Sequence, residues 1–126
     1  MIELTIYEMI NAEPVLNKLL NVSFNGKKAF VISRLLKQIA DEEKMYNEAR
    51  VEILKKYADK DENGNPVVIN DDISMTTEAR ECAVKEIEEL LGTKIQITSN
   101  KIPLEWLEDI EMTPLEAINW AAFIEE

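Results

Sequence analysis

Carboxylate and amide side chains alternate in one acidic segment of the chain. Asp59, Asp61, Asn63 and Gly64 match the first half of the calcium-loop pattern D-x-[DN]-x-[DN]-G. Oxygen atoms at positions one, three and five of such a loop can reach one cation, because the glycine lets the chain reverse its direction. The second half departs from the pattern, since Asn70 stands where a bidentate glutamate is needed. Two interpretations stay open: a weak cation site at Asp59, Asp61 and Asn63, or a solvated turn after a helix.

The inventory of reactive side chains argues against catalysis. The chain contains no histidine and one cysteine, Cys82. Without histidine there is no Ser-His or Cys-His nucleophile pair, and the commonest general base is missing. Cys82 is expected to be a buried, inert thiol, because it lies beside apolar positions of a predicted helix. We therefore predict no catalytic residue, no cofactor and no enzymatic activity.

Three aromatic residues are candidates for contact with a partner. They are Tyr46, Trp106 and Trp120. Tyrosine and tryptophan are favoured in interface hot spots, but they also pack well in cores. Both alternatives stay open for each residue.

The longest regular signal in the sequence lies at residues 27–58, which contain neither glycine nor proline. Apolar side chains recur there at helical spacings, at Ile32, Leu35, Leu36, Ile39, Tyr46, Ala49, Ile53 and Tyr57. The predicted helix would be about 45–48 Å long, whereas a compact domain of this size is about 26–30 Å across. Part of this apolar stripe must therefore be covered by other helices of the chain or by a partner.

Two short segments show the alternation typical of strands. Ile2, Leu4 and Ile6 alternate with polar residues, and Ile95 and Ile97 do the same near the middle of the C-terminal half. We expect the two segments to pair in a small sheet against the helices.

Cap residues predict the shorter helices. Asn11 is expected to cap a helix that has Pro14 in its first turn and ends near Leu20. A further helix is predicted over Thr77–Leu91, with Gly92 as the residue that ends it in the left-handed conformation.

Thr113, Pro114 and Glu116 form the clearest local signal, a capping box with proline at the first helical position. The last helix is predicted over residues 114–124. Its inward side chains are expected to be Leu115, Ile118, Ala122 and Trp120. The predicted fold class is α+β, mainly α. The long helix packs antiparallel on a second helix, beside short flanking helices and a small β-sheet, in a single domain of residues 1–126.

The charge balance limits the possible partners. The chain has 25 acidic and 14 basic residues and a net charge of −11. Direct binding to nucleic acid and to anionic membranes is therefore disfavoured. The charge is explained either by solubility or by a partner with a basic groove that this acidic protein occupies. No apolar run reaches the roughly 18–20 residues of a membrane span, and the first residues lack the features of a signal peptide. The expected location is the cytoplasm.

The order of parts resembles that of a family of small proteins of unknown function encoded by phages and prophages of Gram-positive bacteria. Three segments carry the resemblance: EPVLNKLLN, then KKAFVISRLLKQIADEEKMYNEARVEILKKYADKDENGN, then IPLEWLEDIEMTPLEAINWAAFIEE. In that family a glycine often follows the tyrosine at the end of the long helix, where this chain has Ala58. The resemblance implies a phage setting and the cytoplasm of a host cell, and it transfers no catalytic residue.

These observations predict a non-enzymatic protein that acts through a protein partner, either a second copy or a host or phage protein. A homo-oligomer formed through the uncovered part of the long helix is one form of this prediction. One alternative is an acidic inhibitor that occupies the nucleic-acid-binding groove of a host defence enzyme. Another is a module that binds a cation weakly through residues 59–64.

Overall fold

The computed structural model describes residues 1–125 and confirms the mainly helical α+β fold. The helices are α1 (Ile6–Asn11), α2 (Glu13–Leu20), α3 (Gly26–Tyr57), α4 (Thr77–Leu91) and α5 (Pro114–Trp120). The strands are β1 (Ile2–Thr5), β2 (Val68–Ile69), β3 (Asp72–Ile73), β4 (Lys94–Ile97), β5 (Ile102–Pro103) and β6 (Ile124–Glu125). Short 3₁₀ turns lie at Leu104–Leu107 and Ala121–Phe123.

Internal contacts divide these residues into two compact units. Unit 1 contains residues 1–43 and 93–125, and unit 2 contains residues 44–92. Helix α3 contributes to both. The single domain over residues 1–126 stays a prediction, and each unit is described separately below.

The sheet of unit 1 forms as predicted. Strands β1 and β4 pair antiparallel, with Ile2 opposite Ile97 and Leu4 opposite Ile95. Ile2 and Ile97 are almost completely buried, while the intervening Glu3 is exposed. The alternating pattern therefore distinguishes the core face of this sheet correctly.

Helix α1 was not predicted, and it changes the role of Asn11. The Thr5 hydroxyl accepts a hydrogen bond from the Glu8 backbone N–H at 3.1 Å, and a Glu8 carboxylate oxygen accepts one from the Thr5 N–H at 3.2 Å. This capping box starts a helix directly after β1. Asn11 is therefore the last residue of α1, and the prediction that it caps the next helix is wrong. Ala12 occupies that position, and Pro14 lies in the first turn of α2 as expected.

The core of unit 1 is made from both ends of the chain. Trp120 and Phe123 lie at its centre with ring centroids 4.8 Å apart, and both are fully buried. The Trp120 indole N–H donates to the Ala12 carbonyl oxygen at 2.9 Å, which satisfies the polar atom of a buried ring. Other buried side chains around them are Ile2, Leu4, Ile6, Met9, Val15, Leu16, Leu19, Ile32, Leu35, Ile39, Ile97, Ile102 and Leu107.

The capping box that starts α5 is present as predicted. The Thr113 hydroxyl accepts from the Glu116 N–H at 3.2 Å, and a Glu116 carboxylate oxygen accepts from the Thr113 N–H at 3.3 Å. The same carboxylate pairs with Lys18 at 2.8 Å. This ion pair places the Glu116 side of α5 towards α2.

The end of α5 differs from the prediction. The helix stops at Trp120, because the chain then forms a 3₁₀ turn and strand β6, which pairs in parallel with β5 through Ile102 and Ile124. Leu115 and Ile118, which were expected to face inward, are 65% and 70% exposed. Both residues lie on the side of α5 roughly opposite to Trp120. Because the Trp120 indole is buried, Leu115 and Ile118 face solvent.

Helix α3 is continuous over 32 residues, close to the predicted bounds. Asn25 begins it: the side-chain oxygen accepts from the Lys28 N–H at 3.1 Å, and its carbonyl accepts from the Ala29 N–H at 2.9 Å. Asn25 is therefore the residue that caps the start of α3.

In unit 2 the C-terminal part of α3 packs against α4. Lys56 Nζ lies 3.0 Å from a Glu86 carboxylate oxygen. Helix α4 has the predicted bounds and is capped by Thr76, whose hydroxyl accepts from the Ala79 N–H at 3.1 Å. Gly92 has a φ of −79°, so the prediction of a left-handed end residue is wrong.

A small β-hairpin connects the two helices of unit 2. Val68 lies opposite Ile73, and Asn70 and Asp71 form the two-residue turn with φ values of 53° and 64°. Two successive left-handed residues are the geometry of a type I′ turn, for which asparagine and aspartate are suited.

Candidate functional site

The acidic loop after α3 is a closed turn. Ser74 donates its hydroxyl hydrogen to Asp59 Oδ2 at 2.9 Å, and the Asp59 N–H donates to the Ser74 carbonyl at 2.8 Å. Asp61 Oδ1 accepts from the backbone N–H groups of Asn63 and Asn65, both at 2.9 Å. Gly64 has a φ of +77°, which favours glycine at this reversal of the chain.

This geometry supports the solvated-turn interpretation of the loop. Both carboxylates accept hydrogen bonds that keep the turn closed, one from a neighbouring side chain and one from the loop backbone. Within residues 1–125, no three His, Cys, Asp or Glu side chains are arranged so that they could hold a metal ion. Cation binding by Asp59, Asp61 and Asn63 stays a prediction.

The single cysteine is placed differently from the prediction. Cys82 is exposed on α4, whereas its neighbour Ala83 is almost completely buried. The expectation of a buried thiol is wrong, because the buried face of α4 is centred on Ala83 and Cys82 lies on its edge.

The three aromatic candidates occupy different environments. Trp120 is fully buried in unit 1 and therefore presents no surface to a partner in this structure. Tyr46 and Trp106 are half-buried, in unit 2 and unit 1 respectively. Lys28 Nζ lies 5.7 Å from the centroid of the Trp106 ring, a distance compatible with a cation–π contact.

Unit 2 leaves much of its apolar surface uncovered. Its only almost completely buried residues are Ala58 and Ala83, and no larger side chain of residues 44–92 reaches that degree of burial. Five large apolar side chains of the unit are 40–63% exposed: Met45, Val51, Val68, Ile69 and Val84. The unit therefore lacks the large buried side chains that normally form a core.

Two pairs of apolar residues share a helical face in unit 2. Val51 and Leu54 are three residues apart on α3, and Val84 and Leu91 are seven apart on α4. Val51 and Val84 are 40% and 49% exposed, and the two leucines are half-buried. We call these two patches, one on each helix, the unit 2 apolar surface.

The two helices of unit 2 carry opposite charge. Residues 44–57 of α3 contain four bases and two acids, whereas α4 contains two bases and five acids. The corresponding net charges are +2 and −3. The two helices therefore differ in the sign of their net charge, and Lys56 and Glu86 already form one ion pair between them.

Unit 1 has an apolar groove with two carboxylates. The groove has a volume of about 350 Å³ and is lined by Leu16, Leu20 and Leu36 together with Glu13 and Glu43. Burial and the nearby charge of Glu13 raise the pKa of the Glu43 carboxyl above its usual range.

A second surface of unit 1 is basic, in contrast to the chain as a whole. Between Glu13 and Asp41 there is no acidic residue, and this segment contains Lys18, Lys27, Lys28, Arg34 and Lys37. Phe30 is 61% exposed in the middle of it, and Arg34 lies 5.0 Å from the centroid of its ring. Net charge alone did not identify this surface. A count of acids along the chain is the signal that could have found it.

Two grooves flank this part of α3. One, of about 610 Å³, is lined by Phe30, Val31, Arg34, Lys37, Gln38, Asp41, Thr98, Ser99 and Asn100. The other, of about 510 Å³, is lined by Met1, Val31, Asn100, Lys101, Pro103, Trp106 and Glu125. Val31 and Asn100 line both grooves.

Comparison with known proteins gives no functional assignment. No protein-family model, no curated protein and no solved structure matches this chain. Within residues 1–125, no helix has both the length and the apolar character that a membrane span requires.

Proposed function

We propose that this is a non-enzymatic protein that works by associating with a protein partner, and that the partner at unit 2 is a second copy of the chain. The observation that carries the proposal is the near absence of large buried side chains in unit 2. A second apolar surface placed against Val51, Leu54, Val84 and Leu91 would supply the missing contacts.

Unit 2 is small, and its size limits how much apolar surface it can bury without a partner. A unit of 49 residues has too little interior to bury much of its apolar surface alone. Two helices and a hairpin can cover one stripe on each helix, and the remaining apolar residues face water. Burial of that surface stabilises an assembly by about 25 cal/mol for each Å² of apolar area.

The charge pattern favours a second copy as the partner. In a two-fold symmetric dimer each surface meets itself, so α3 of one copy can lie against α4 of the other. The net charges of +2 on residues 44–57 and −3 on α4 then attract each other twice. A partner that is uniformly acidic or uniformly basic would be repelled by one of the two helices.

Sedimentation equilibrium of the full chain tests this proposal. We expect a monomer–dimer equilibrium for the natural sequence and a dimer dissociation constant at least about tenfold higher for the double variant Val51→Gln/Val84→Gln, a change of about 1.4 kcal/mol. Because both valines are partly exposed, glutamine at these positions leaves the fold of the monomer intact. The matched control is Leu115→Gln, which alters a residue that is 65% exposed in unit 1.

Two results would overturn the proposal. One is a natural chain that remains monomeric up to its solubility limit. The other is a control variant that weakens the dimer as much as the double variant does, because the association would then not depend on unit 2.

A further inference from the structure

We propose that a second surface, in unit 1, binds an acidic amphipathic peptide segment of a different protein. This basic-aromatic face consists of Lys27, Lys28, Phe30, Val31, Arg34, Lys101 and Trp106. It shares no residue with the unit 2 apolar surface, so the inference goes beyond self-association and does not depend on it.

The cations of this face lack carboxylate partners in the part of the chain that the structure describes. Within residues 1–125, no carboxylate forms an ion pair with Lys27, Lys28, Arg34 or Lys101. In a chain with 25 acids and 14 bases, such a concentration of unpaired cations is unexpected from composition alone. The surface is therefore complementary to a negatively charged group.

Two of these cations lie at the N-terminal end of α3, where the helix dipole disfavours positive charge. Lys27 and Lys28 lie in the first turn of α3, which has no acidic residue. The helix dipole is positive at this end, so it repels both lysines. An anionic ligand would remove this repulsion.

Apolar surface accompanies the charges. Phe30 is 61% and Val31 is 37% exposed, and Trp106 is half-buried beside them. Arg34 lies over the Phe30 ring, and Lys28 lies near the Trp106 ring. In each pair, the cation can bind a carboxylate of the ligand, and the ring beside it can contact an apolar side chain. This spacing suits a peptide in which acidic and apolar side chains are interleaved.

The two grooves beside this face are formed in the free protein. In the groove of about 610 Å³, Gln38 Nε2 donates to Ser99 Oγ at 2.9 Å and the Ser99 N–H donates to Gln38 Oε1 at 3.3 Å, which ties α3 to the segment after β4. The groove volumes of about 610 and 510 Å³ fall within the range of about 300–1,000 Å³ that is common for ligand sites. A rigid groove reduces the entropy that binding costs.

An acidic residue in each groove favours a peptide over nucleic acid. Asp41 lines one groove and Glu125 the other. A nucleic acid carries a phosphate at every nucleotide, so some of its charges would approach these carboxylates and the other acids of the chain. A peptide can place carboxylates at Lys28 and Arg34 and apolar groups elsewhere.

Fluorescence anisotropy with three labelled peptides of equal length tests the inference. The peptides share leucine and phenylalanine at the same positions and carry glutamate, serine or lysine at all others. We expect affinity for the full-length protein to decrease in the order glutamate, serine, lysine. Binding of the glutamate peptide should weaken as salt is added, because salt screens exposed charges.

Charge reversal locates the site. Arg34→Glu is expected to raise the dissociation constant of the glutamate peptide at least about tenfold. The control Arg80→Glu makes the same change of net charge on exposed α4 and is expected to have less than about a twofold effect. Circular dichroism checks the fold of both variants, and Lys28→Gln replaces Arg34→Glu should the latter fail to fold. The dimerisation-deficient variant Val51→Gln/Val84→Gln should bind the peptide as the natural chain does.

Labelled oligothymidylate is titrated in parallel. Absence of binding for all three peptides, equal affinity for all three, or equal weakening by Arg34→Glu and Arg80→Glu would overturn the inference. Tighter binding of oligothymidylate than of the glutamate peptide, lost in Arg34→Glu, would also overturn it and assign the face to nucleic acid.

Discussion

Units 1 and 2 share helix α3, but the apolar face of α3 is deeply buried in unit 1 and only partly buried in unit 2. In the part of α3 that belongs to unit 1, Ile32, Leu35 and Ile39 are no more than 2% exposed. In the part that belongs to unit 2, the same stripe continues through Ala49 and Ile53, and no residue is buried to that extent. Apolar residues recur with the same helical spacing in both parts, and this spacing shows which face of a helix is apolar. How deeply that face is buried depends on how many other elements pack against the helix.

The difference has a functional meaning. In unit 1 the buried face of α3 belongs to a core that also contains Trp120, Phe123 and side chains of α2, β1 and β4. Unit 2 offers one helix and a hairpin to the remaining stretch. We expect unit 1 to dominate the free energy of unfolding of the monomer, and unit 2 to gain stability from association.

The largest expected effect is in the core of unit 1. Trp120→Ala removes a fully buried ring and the hydrogen bond that its indole N–H donates to the Ala12 carbonyl oxygen. We expect a loss of about 3–5 kcal/mol in the free energy of unfolding, measured by urea denaturation followed by circular dichroism. Trp106→Ala is the matched control and should cost less, because that ring is only half-buried. Similar losses for the two variants would contradict the assignment of Trp120 to the core.

A direct comparison of the two units uses one substitution at two positions of α3. Ile39→Ala should reduce the free energy of unfolding by about 2–5 kcal/mol, because Ile39 is fully buried. Ile53→Ala should cost about 1 kcal/mol at concentrations where the chain is monomeric, because Ile53 is half-buried. Urea denaturation of both variants measures the difference. Equal costs would show that unit 2 has a core as well formed as that of unit 1.

The smallest expected effect concerns surface carboxylates, which should behave alike in both units. The Lys18 side chain and the Thr113 backbone N–H lower the pKa of Glu116, and hydrogen bonds from Tyr57 and Lys56 lower the pKa of Glu86. A carboxylate with a lower pKa in the folded state stabilises the protein above its unfolded pKa, and this contribution is lost as pH falls through the folded pKa. Glu116→Gln and Glu86→Gln should therefore lower the urea midpoint at neutral pH, and the differences from the natural chain should shrink in acid.

Glu43→Gln is a control for which we expect the opposite change in the urea midpoint. Burial and Glu13 raise the pKa of Glu43, so its charged form is disfavoured in the folded protein at neutral pH. Glu43→Gln should raise the urea midpoint at neutral pH, and the gain should disappear in acid. A lower midpoint for this variant at neutral pH would mean that the charge of Glu43 stabilises the fold.

Local and periodic features of the fold could be predicted from the sequence. Helices α3 and α4, the pairing of β1 with β4 and the capping box at Thr113 depend on spacing and on side chains close in the chain, and all are present. The direction in which a short helix faces depends on distant residues. Leu115 and Ile118 were assigned to the core because they are apolar, and Trp120 displaces them through its packing with Phe123 and its hydrogen bond to Ala12.

The candidate surfaces could be predicted only in part. An uncovered portion of the long apolar stripe was expected, and the structure places the less buried portion in unit 2. Trp106 was named as a contact residue without its neighbours, since Lys28 and Lys101 approach it only in the folded chain. The basic-aromatic face was missed because a net charge averages over the whole chain and conceals a local excess of the opposite sign.

The pairing of the two ends of the chain has a consequence for synthesis on the ribosome. Ile2 can meet its partner Ile97 only after residues 3–97 have been made, and Ile102 can meet Ile124 only after residues 103–124 have been made. At about 5–20 residues per second, the first strand waits roughly 5–20 s for its neighbour. During that interval Ile2 and Leu4 lack the strand that covers them in unit 1, so this apolar stretch of the nascent chain is exposed to aggregation until residues 94–97 emerge.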